Sequence, residues 1–423
     1  MNWHAVSKKV EEEEPYLVDI LRALVRIDTS VPPGNTYSKL LDLVEPEFRR
    51  FGCKTTRVLV PENKRGMDAM GLSGPRENLV ACLDTGKPKV SVYAHVDVVP
   101  ADESWTRDPF AGDVEDGRLY GRGSVDNKGP IACVMGALKV IHDLGLEPRF
   151  SIDCLLCTDE ELGNQYQAGA DYLARNGYFS NHLVWTDLGA IEPIYIMATA
   201  GGIQVDVTAI GKSCHSGVNF LGINALEEMV PILNELMELK KAVEQRQSRI
   251  AAFPHPHSPF THGKMTPMFN LTIMRSGTKA NIVPAECTLT INRRYVPDED
   301  PDAVIAEIQE AIQRGRQRSK LLDLKLEVMR GYGAVEINPD TPAVRRMTEA
   351  VKTVKGFDGL LFGGISGSSD LACVADALKP AKLEAAYFGV ARASDLRAHG
   401  ADEFAYVEDL VAVTKEMLHY FCS

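Results

Sequence analysis

The chain has 423 residues, 45% hydrophobic and 25% charged, the ordinary balance of a soluble globular protein with enough length for two or three domains. Asp and Glu number 58 against 46 Lys and Arg, a formal net charge of −12, which argues against nucleic acid or an anionic membrane as the main partner. An anionic small molecule stays possible, because a local Arg or a metal ion reverses the sign within a pocket.

The first residues, Met1-Asn2-Trp3-His4-Ala5-Val6-Ser7-Lys8-Lys9, carry no apolar signal core, and no stretch is long and apolar enough to span a bilayer. A cytoplasmic location is the expectation. The 9 cysteines are scattered, and Cys82, Cys133, Cys154 and Cys373 sit in apolar runs as reduced core thiols. Cys154 and Cys157 form a C-x-x-C inside what reads as a buried strand, so the spacing is taken as coincidence rather than redox or zinc chemistry.

In chain order, residues 11–29 begin with an acidic run and continue with Leu17, Ile20, Leu21, Leu24 and Val25 at helical spacing. A second helix is predicted over 37–51. Residues 61–77, rich in Pro, Gly and charge, read as a loop between two strands. From 78 to 200, short apolar runs alternate with helical patterns, notably 129–144 and 166–176, which predicts a mostly parallel sheet. Near 200 the character changes. Gly201-Gly202 precedes an alternating strand from Ile203 to Ile210, then come a helix at 224–248, alternating stretches at 268–276 and 285–296, a helix at 301–317 and a strand at 322–330.

That β-α-β-β-α-β order is the ferredoxin-like pattern and marks 201–330 as an inserted domain. Signals resume at 343–355, 383–390 and 405–419, so 1–200 and 331–423 are expected to form one domain around the first sheet. The predicted class is α/β: a mostly parallel mixed sheet flanked by helices, with an inserted ferredoxin-like α+β domain.

Acids and one histidine stand where the apolar runs end: His95 and Asp97, Asp126, Glu160 and Glu161, and Asp187. Strand ends that open into loops are where α/β proteins build sites, and this donor set suits hard or borderline metal ions. His95 and Asp97 are two apart, so on a strand both point to one face, and the carboxylate can hold Nδ1–H while Nε2 faces a metal. Taken alone, such a pair is also what an ordinary hydrogen-bonded strand end looks like. Asp126 lies in the Gly-rich segment Gly121 to Gly129, at the place of the third glycine of a dinucleotide-binding turn, so that fingerprint fails. The turn still lets a short carboxylate approach a metal closely. Glu160 and Glu161 are adjacent, so on irregular backbone one can bind a metal while the other stays free as a base.

Taken together, His95-Val96-Asp97-Val98-Val99-Pro100, Gly121 to Gly129, Thr158-Asp159-Glu160-Glu161-Leu162-Gly163, Asp187, and Ala398-His399-Gly400-Ala401-Asp402-Glu403 resemble, in order and over nearly the whole chain, a family of dinuclear-metal hydrolases. It includes aminoacylase, acetylornithine deacetylase, succinyl-diaminopimelate desuccinylase, carboxypeptidase G and bacterial dipeptidases. The resemblance implies one metal held by His95, Asp126 and Asp187, and a second by Asp126, Glu161 and His399, with Asp126 bridging. Zn is the first expectation, and Mn or Co suit the same donors. Glu160 would be the general base, Asp97 would support His95, and the Asp126–Asn127 peptide bond would be cis.

In the inserted segment, His215 of Gly211-Lys212-Ser213-Cys214-His215-Ser216-Gly217 resembles the family histidine that reaches into a partner subunit's site, which implies a homodimer or higher homo-oligomer built through 201–330. Asn281 and Arg294 resemble the substrate-holding Asn and Arg. Arg293 faces the other side of the strand, so only one of the two arginines is expected to point inward. Gly367-Ser368-Ser369-Asp370 resembles a loop that binds the substrate carboxylate through backbone N–H groups, which puts Ser368 and Ser369 beside substrate. His255, His257 and His262 read as an irregular Pro-rich loop, and Lys64 and Arg65 as solvated charge.

The chain departs from the family pattern at two places. Asp187 stands where many members carry Glu followed by Pro, which favours a substrate with a free amino group. Tyr387-Phe388-Gly389-Val390-Ala391-Arg392 replaces the usual Gly-Pro-Gly-like approach to His399. The leading expectation is hydrolysis of an amide in an N-acyl amino acid or dipeptide-like carboxylate. The alternative is an aminohydrolase that releases ammonia from an aromatic amine such as an aminobenzoate-type acid. A non-catalytic binding protein is the remote third, and the presence of Asp126, Glu160 and His399 speaks against it.

Overall fold

The computed structural model describes residues 2–253, 263–378, 383–395 and 397–423. His255, His257 and His262 lie outside the described residues. The chain divides into two compact units. One comprises Met1–Tyr195, Ile337–Phe362 and Ser369–Ser423, and the other Ile196–Glu336 with Gly363–Ser368. The second unit therefore extends a few residues beyond 201–330 at each end. Thr199 pairs with Val335 and Ala198 with Glu336, a backbone pairing too short to leave a sequence period. Gly363–Ser368 joins it through a bridge from Gly364 to Ala252 and a bond from Ala200 N to Gly367 O at 2.9 Å.

The first unit is built on a six-stranded sheet in the order Lys54–Leu59, Glu77–Leu83, Ser151–Cys157, Lys89–His95, His182–Trp185 and Glu384–Tyr387. The first two strands pair antiparallel, and Glu77–Leu83 is antiparallel to Ser151–Cys157. The last four strands run parallel. Ser151–Cys157 is buried throughout and Lys89–His95 beyond its first residue, as expected of strands covered on both faces. The helix Lys128–Leu144 is buried along nearly its whole length and packs against Glu14–Val25 and Val407–Cys422.

The amphipathic pattern at 11–29 belongs to the second of two helices, Trp3–Glu12 and Glu14–Val25. Pro15 sits in the first turn of the second, where its missing N–H leaves no bond unmade. The 61–77 segment contains a short helix, Lys64–Ala69, whose start is capped by the Asn63 side chain accepting from Gly66 N at 3.2 Å. The pattern at 166–176 shortens to Ala170–Arg175, preceded by a 3₁₀ turn at Glu160–Gln165.

The second unit has four strands, Gly201–Ile210, Met268–Ser276, Glu286–Tyr295 and Asp323–Arg330, all paired antiparallel. Numbered in chain order, they lie side by side as 4-1-3-2, the ferredoxin-like arrangement. Helices Ala225–Val243 and Pro301–Arg316 supply Ile232, Leu236, Ile308 and Ile312 to a core with Val205, Val207, Leu289 and Ile291 of the sheet. Among the described residues, no helix is long and apolar enough to cross a membrane.

Candidate metal centre

The parallel strands of the first unit end at one level. His95 is in register with Cys157, and Val96 N donates to Cys157 O at 2.8 Å. Each strand then opens into a segment that carries an acid. Asp97 follows the first strand, Glu160 and Glu161 the second, and Asp187 the third. This is the carboxyl edge where open α/β sheets place ligands. Asp126 arrives from a Gly-rich turn after the short strand Arg118–Tyr120, and its bond to Asn127 is cis. The Thr186 hydroxyl lies 2.8 Å from both the Tyr93 carbonyl and the Asn127 side-chain oxygen, which ties this turn to two of the strands. His399 stands in a left-handed backbone conformation (φ 64°), uncommon for a residue with a side chain.

The two oxygens of Asp126 face different histidines. Oδ1 is 2.9 Å from His95 Nε2, and Oδ2 is 3.2 Å from His399 Nε2. His399 Nε2 is also 3.0 Å from Glu161 Oε2. His95, Asp126 and Asp187 present ligand atoms within 4.8 Å of one another, and so do Asp126, Glu161 and His399. Two further groups of the same tightness are His95, Glu160 and Glu161, and Glu160, Asp187 and Asp370.

Asp97 is fully buried between the two ligand segments. Its carbonyl lies 3.0 Å from His95 Nδ1, its Oδ1 3.6 Å from the same nitrogen, and its Oδ2 accepts Glu161 N at 2.9 Å. One residue thus orients an imidazole and the backbone of a neighbouring ligand.

The electrostatics show an excess of buried negative charge. Burial pushes Glu160 well above the usual carboxylate range, and Asp187 and Asp370 add to it. Asp370 is raised in the same way, by burial and then by Asp187. Asp187 is pushed up to about 6 by burial and Asp126, and Glu161 to about 7 chiefly by burial. Asp126 moves the other way: burial opposes its charge, but hydrogen bonds from His399 and His95 outweigh that and hold it well below the usual range. Hydrogen bonds to Asp126 and Glu161 push His399 up to about 10. Such a crowd of acids is costly in a site of low polarity unless cations neutralise it. Nitrogen and oxygen donors without thiolate, in two overlapping triads, fit a pair of divalent ions.

Two acids beside the centre have structural partners. Asp159 (φ 62°) places its carboxylate 2.9 Å from Arg76 Nε and 2.6 Å from the Tyr37 hydroxyl. Asp370, which sequence reasoning quoted only as part of a loop, accepts the Tyr93 hydroxyl at 2.5 Å, and Tyr93 in turn stacks on Trp185 at 3.7 Å. Its closeness to Asp187 depends on a contact between distant segments, so no local pattern announces it.

Ser369 is tied to Asp187. It is fully buried, and its hydroxyl donates to Asp187 Oδ2 at 3.0 Å while accepting from Trp185 Nε1 and Leu371 N, both at 3.3 Å. The side chain is thus committed to the Asp187 carboxylate, and the substrate contact expected of this loop, through backbone N–H groups, does not call on it.

The second unit holds the other predicted residues. Arg294 is half-buried, forms no ion pair among the described residues, and donates to Ser368 Oγ at 2.5 Å. Gly202 lies opposite it in the sheet. Arg293 is fully buried on the other face and pairs with Glu299 at 2.6 Å, so its charge belongs to the scaffold. His215 and Asn281 are exposed and come from neighbouring loops: His215 bridges Ile282, and Ser216 N donates to Asn281 O at 3.0 Å. Lys64 and Arg65 are exposed. Cys154 and Cys157 are buried free thiols in a strand.

The sequence profile of peptidase family M20/M25/M40 matches residues 91–422. The chain belongs to this family. Its curated relatives include a probable succinyl-diaminopimelate desuccinylase of Staphylococcus aureus, 27% identical over 405 residues and covering 92% of each chain. Another is the N-formyl-4-amino-5-aminomethyl-2-methylpyrimidine deformylase of Bacillus subtilis, 26% identical over 457 aligned positions, covering 99% of this chain and 97% of the relative. Among solved structures, human carnosine dipeptidase 1 shares the fold with a TM-score of 0.80 at 18% identity, over 99% of this chain and 98% of that one. As an M20-family member with such candidate ligand groups, the chain is a metal-dependent hydrolase acting on carbon–nitrogen bonds. The reading as a non-catalytic binding protein is set aside.

Proposed function

We propose that this M20-family enzyme cleaves the amide bond of an N-acyl amino acid or dipeptide-like small carboxylate, using two divalent metal ions per subunit. The observation that carries this reading is Asp126, whose two oxygens face His95 and His399 and which belongs to both ligand triads. In this reading His95, Asp126 and Asp187 hold one ion, and Asp126, Glu161 and His399 the other. Zn is preferred, with Mn or Co as alternatives. Bound there, the ions supply Lewis acidity, lowering the pKa of a water and polarising the scissile carbonyl.

The protein's own groups do the rest. Glu160 takes a proton from the attacking water and delivers it to the leaving nitrogen. Asp97 keeps His95 and the Glu161 backbone in place, and Ser369 fixes Asp187. Arg294, without a carboxylate partner among the described residues, holds the substrate carboxylate with Ser368 beside it, and Asn281 contributes a further polar contact. His215 stabilises the developing oxyanion in a partner subunit's site. The second unit then forms the dimer. Support comes from its edge strand Met268–Ser276, which exposes Ile273 and Met274, and from exposed Val218, Phe220 and Leu221 in the His215 loop. The names of the two curated relatives describe removal of an acyl group from an amine, in keeping with amide cleavage.

The test is a screen of the metal-loaded protein against N-acyl amino acids, dipeptides and aromatic amines, with new amine and free ammonia measured separately. A new amine together with a carboxylic acid is expected. Ammonia with a hydroxylated product would overturn this reading in favour of an aminohydrolase.

A further inference from the structure

Glu403 lies four residues after His399, is fully buried, and has no place in the proposed reaction. Its contacts are concentrated on one target. Oε1 accepts Val125 N at 2.9 Å and Asp126 N at 3.2 Å. Oε2 accepts Gly123 N at 3.1 Å and Arg122 Nη1 at 2.8 Å. The Glu403 carbonyl accepts Gly121 N at 2.8 Å. One residue thus receives every bond it makes here from the turn that presents Asp126.

The turn has two backbone bonds of its own, Ser124 N to Gly121 O at 3.0 Å and Lys128 N to Gly123 O at 2.8 Å. Gly121 (φ 155°) and Gly123 (φ 84°) occupy conformations that favour glycine, and a Cβ at Gly121 would stand 2.3 Å from Val25 Cγ1. Glycines permit the conformation without enforcing it, and neither internal bond engages the amides of Gly123, Val125 and Asp126, which go to Glu403. The grip is also reciprocal. Arg122 places its second nitrogen, Nη2, 3.4 Å from the carbonyl of His399, whose left-handed backbone needs outside support. The segment that carries one histidine ligand and the turn that carries the shared carboxylate therefore hold each other.

We propose that Glu403 is the positioning residue that makes the two metal positions rise and fall together. This rests on the two-metal reading above. Asp126 belongs to both triads, so a displaced turn weakens both positions at once. Removing a direct ligand such as His399 acts mainly on the position it serves. A buried Arg–Glu pair kept only for stability would affect the melting temperature and leave metal affinity alone. The bonds from the amides of Gly123, Val125 and Asp126 are what separate the two roles.

The experiment is zinc titration of the full chain after metal removal, with a chelating dye as competitor, metal content after dialysis, and thermal melting of metal-free and metal-loaded forms. Wild type, Glu403→Gln, Arg122→Lys and His399→Ala are compared. Glu416→Gln is the control, because Glu416 is an equally buried carboxylate paired with Lys355 at 3.0 Å. Glu403→Gln is expected to lower both zinc affinities in parallel, roughly 10–100-fold, the usual cost of losing a partner that orients metal ligands. His399→Ala should weaken one position far more than the other. Glu416→Gln should lower melting while leaving both affinities at the wild-type value.

The proposal is overturned if Glu403→Gln binds both ions as wild type does, or loses only one of them. Should Glu403→Gln fail to fold, Arg122→Lys takes its place, with a parallel loss expected and unchanged affinities overturning the idea. A wild-type protein that binds fewer than two ions sinks the two-metal reading itself, an outcome visible before any variant is made.

Discussion

Glu160 and Glu161 are neighbours of one chemistry in different surroundings. Glu161 has a histidine at 3.0 Å and its amide held by Asp97, while Glu160 faces the charges of Asp187 and Asp370. Replacing Glu160 with Gln keeps size and removes the proton-accepting oxygen. Glu160→Gln is expected to lower kcat by about 10²–10⁴-fold with two metals still bound, read by steady-state kinetics beside metal analysis. Substantial remaining activity would dismiss Glu160 as the base. Arg76 offers a contrasting case, since its guanidinium is buried against Asp159 and also donates to the carbonyls of Gly34 at 2.7 Å and Pro33 at 2.9 Å. Arg76→Met leaves a buried acid without its cation, pushed up to about 7 already by burial and Asp97. A loss of about 3–5 kcal/mol in urea unfolding is expected. A loss below about 1 kcal/mol would mean that the loop and Asp159 rearrange at little cost.

At the scale of elements, the strand His182–Trp185 and the last helix, Val407–Cys422, meet at a titrating contact. His182 Nε2 lies 2.5 Å from the Tyr420 hydroxyl and the ring packs edge-on against Phe150. Burial, with Arg346 nearby, brings the imidazole down to about 4. In the unfolded chain it titrates near 6.5. Above pH 6.5 neither state binds the proton and His182 contributes no pH dependence. As pH falls from about 6.5 to about 4 the unfolded chain takes up a proton that the folded chain refuses, so stability drops, by at most about 3 kcal/mol. The difference in unfolding free energy between pH 7.5 and 4.5 should therefore be smaller in His182→Gln than in wild type. Equal differences would remove His182 as a source of acid sensitivity.

The long elements were legible from period alone, as in Lys128–Leu144 and Pro301–Arg316, because several turns of apolar spacing accumulate. Lys64–Ala69 and Val335–Glu336 were not, because six and two residues carry too little pattern. The break at Glu13 was missed because acidic residues continue across it.

At the scale of the whole molecule, the acid excess at the metal centre links stability to metal. Stripping the ions leaves Asp126, Glu160, Glu161, Asp187 and Asp370 crowded together. Chelation should lower the melting temperature, and the gap between loaded and stripped protein should narrow at lower pH as the carboxylates take up protons. An unchanged melting temperature at pH 7.5 would show that the acids are neutralised some other way. For the proposed dimer, the double variant Ile273→Asp with Met274→Asp places charge on the exposed edge strand and is expected to give monomers in sedimentation velocity, with kcat lost through His215. A fully active monomer would contradict both the interface and the role of His215.

The order of His95, Asp126, Glu160, Glu161, Asp187 and His399 was present in the sequence by itself, and with it the fold class. Acids at strand ends are specified by local pattern: an apolar run, a turn, then a carboxylate. What only the tertiary structure decided are the supports. Ser369 lies 182 positions from the Asp187 it holds, and Glu403 277 positions from the Asp126 amide. No periodicity or spacing encodes such a pair, because its geometry exists only after the sheet and the last helix have packed. For the same reason the sequence did not show that the Ser369 hydroxyl meets Asp187, or that Glu403, last letter of a motif read for its histidine, receives the amides of the turn that presents Asp126.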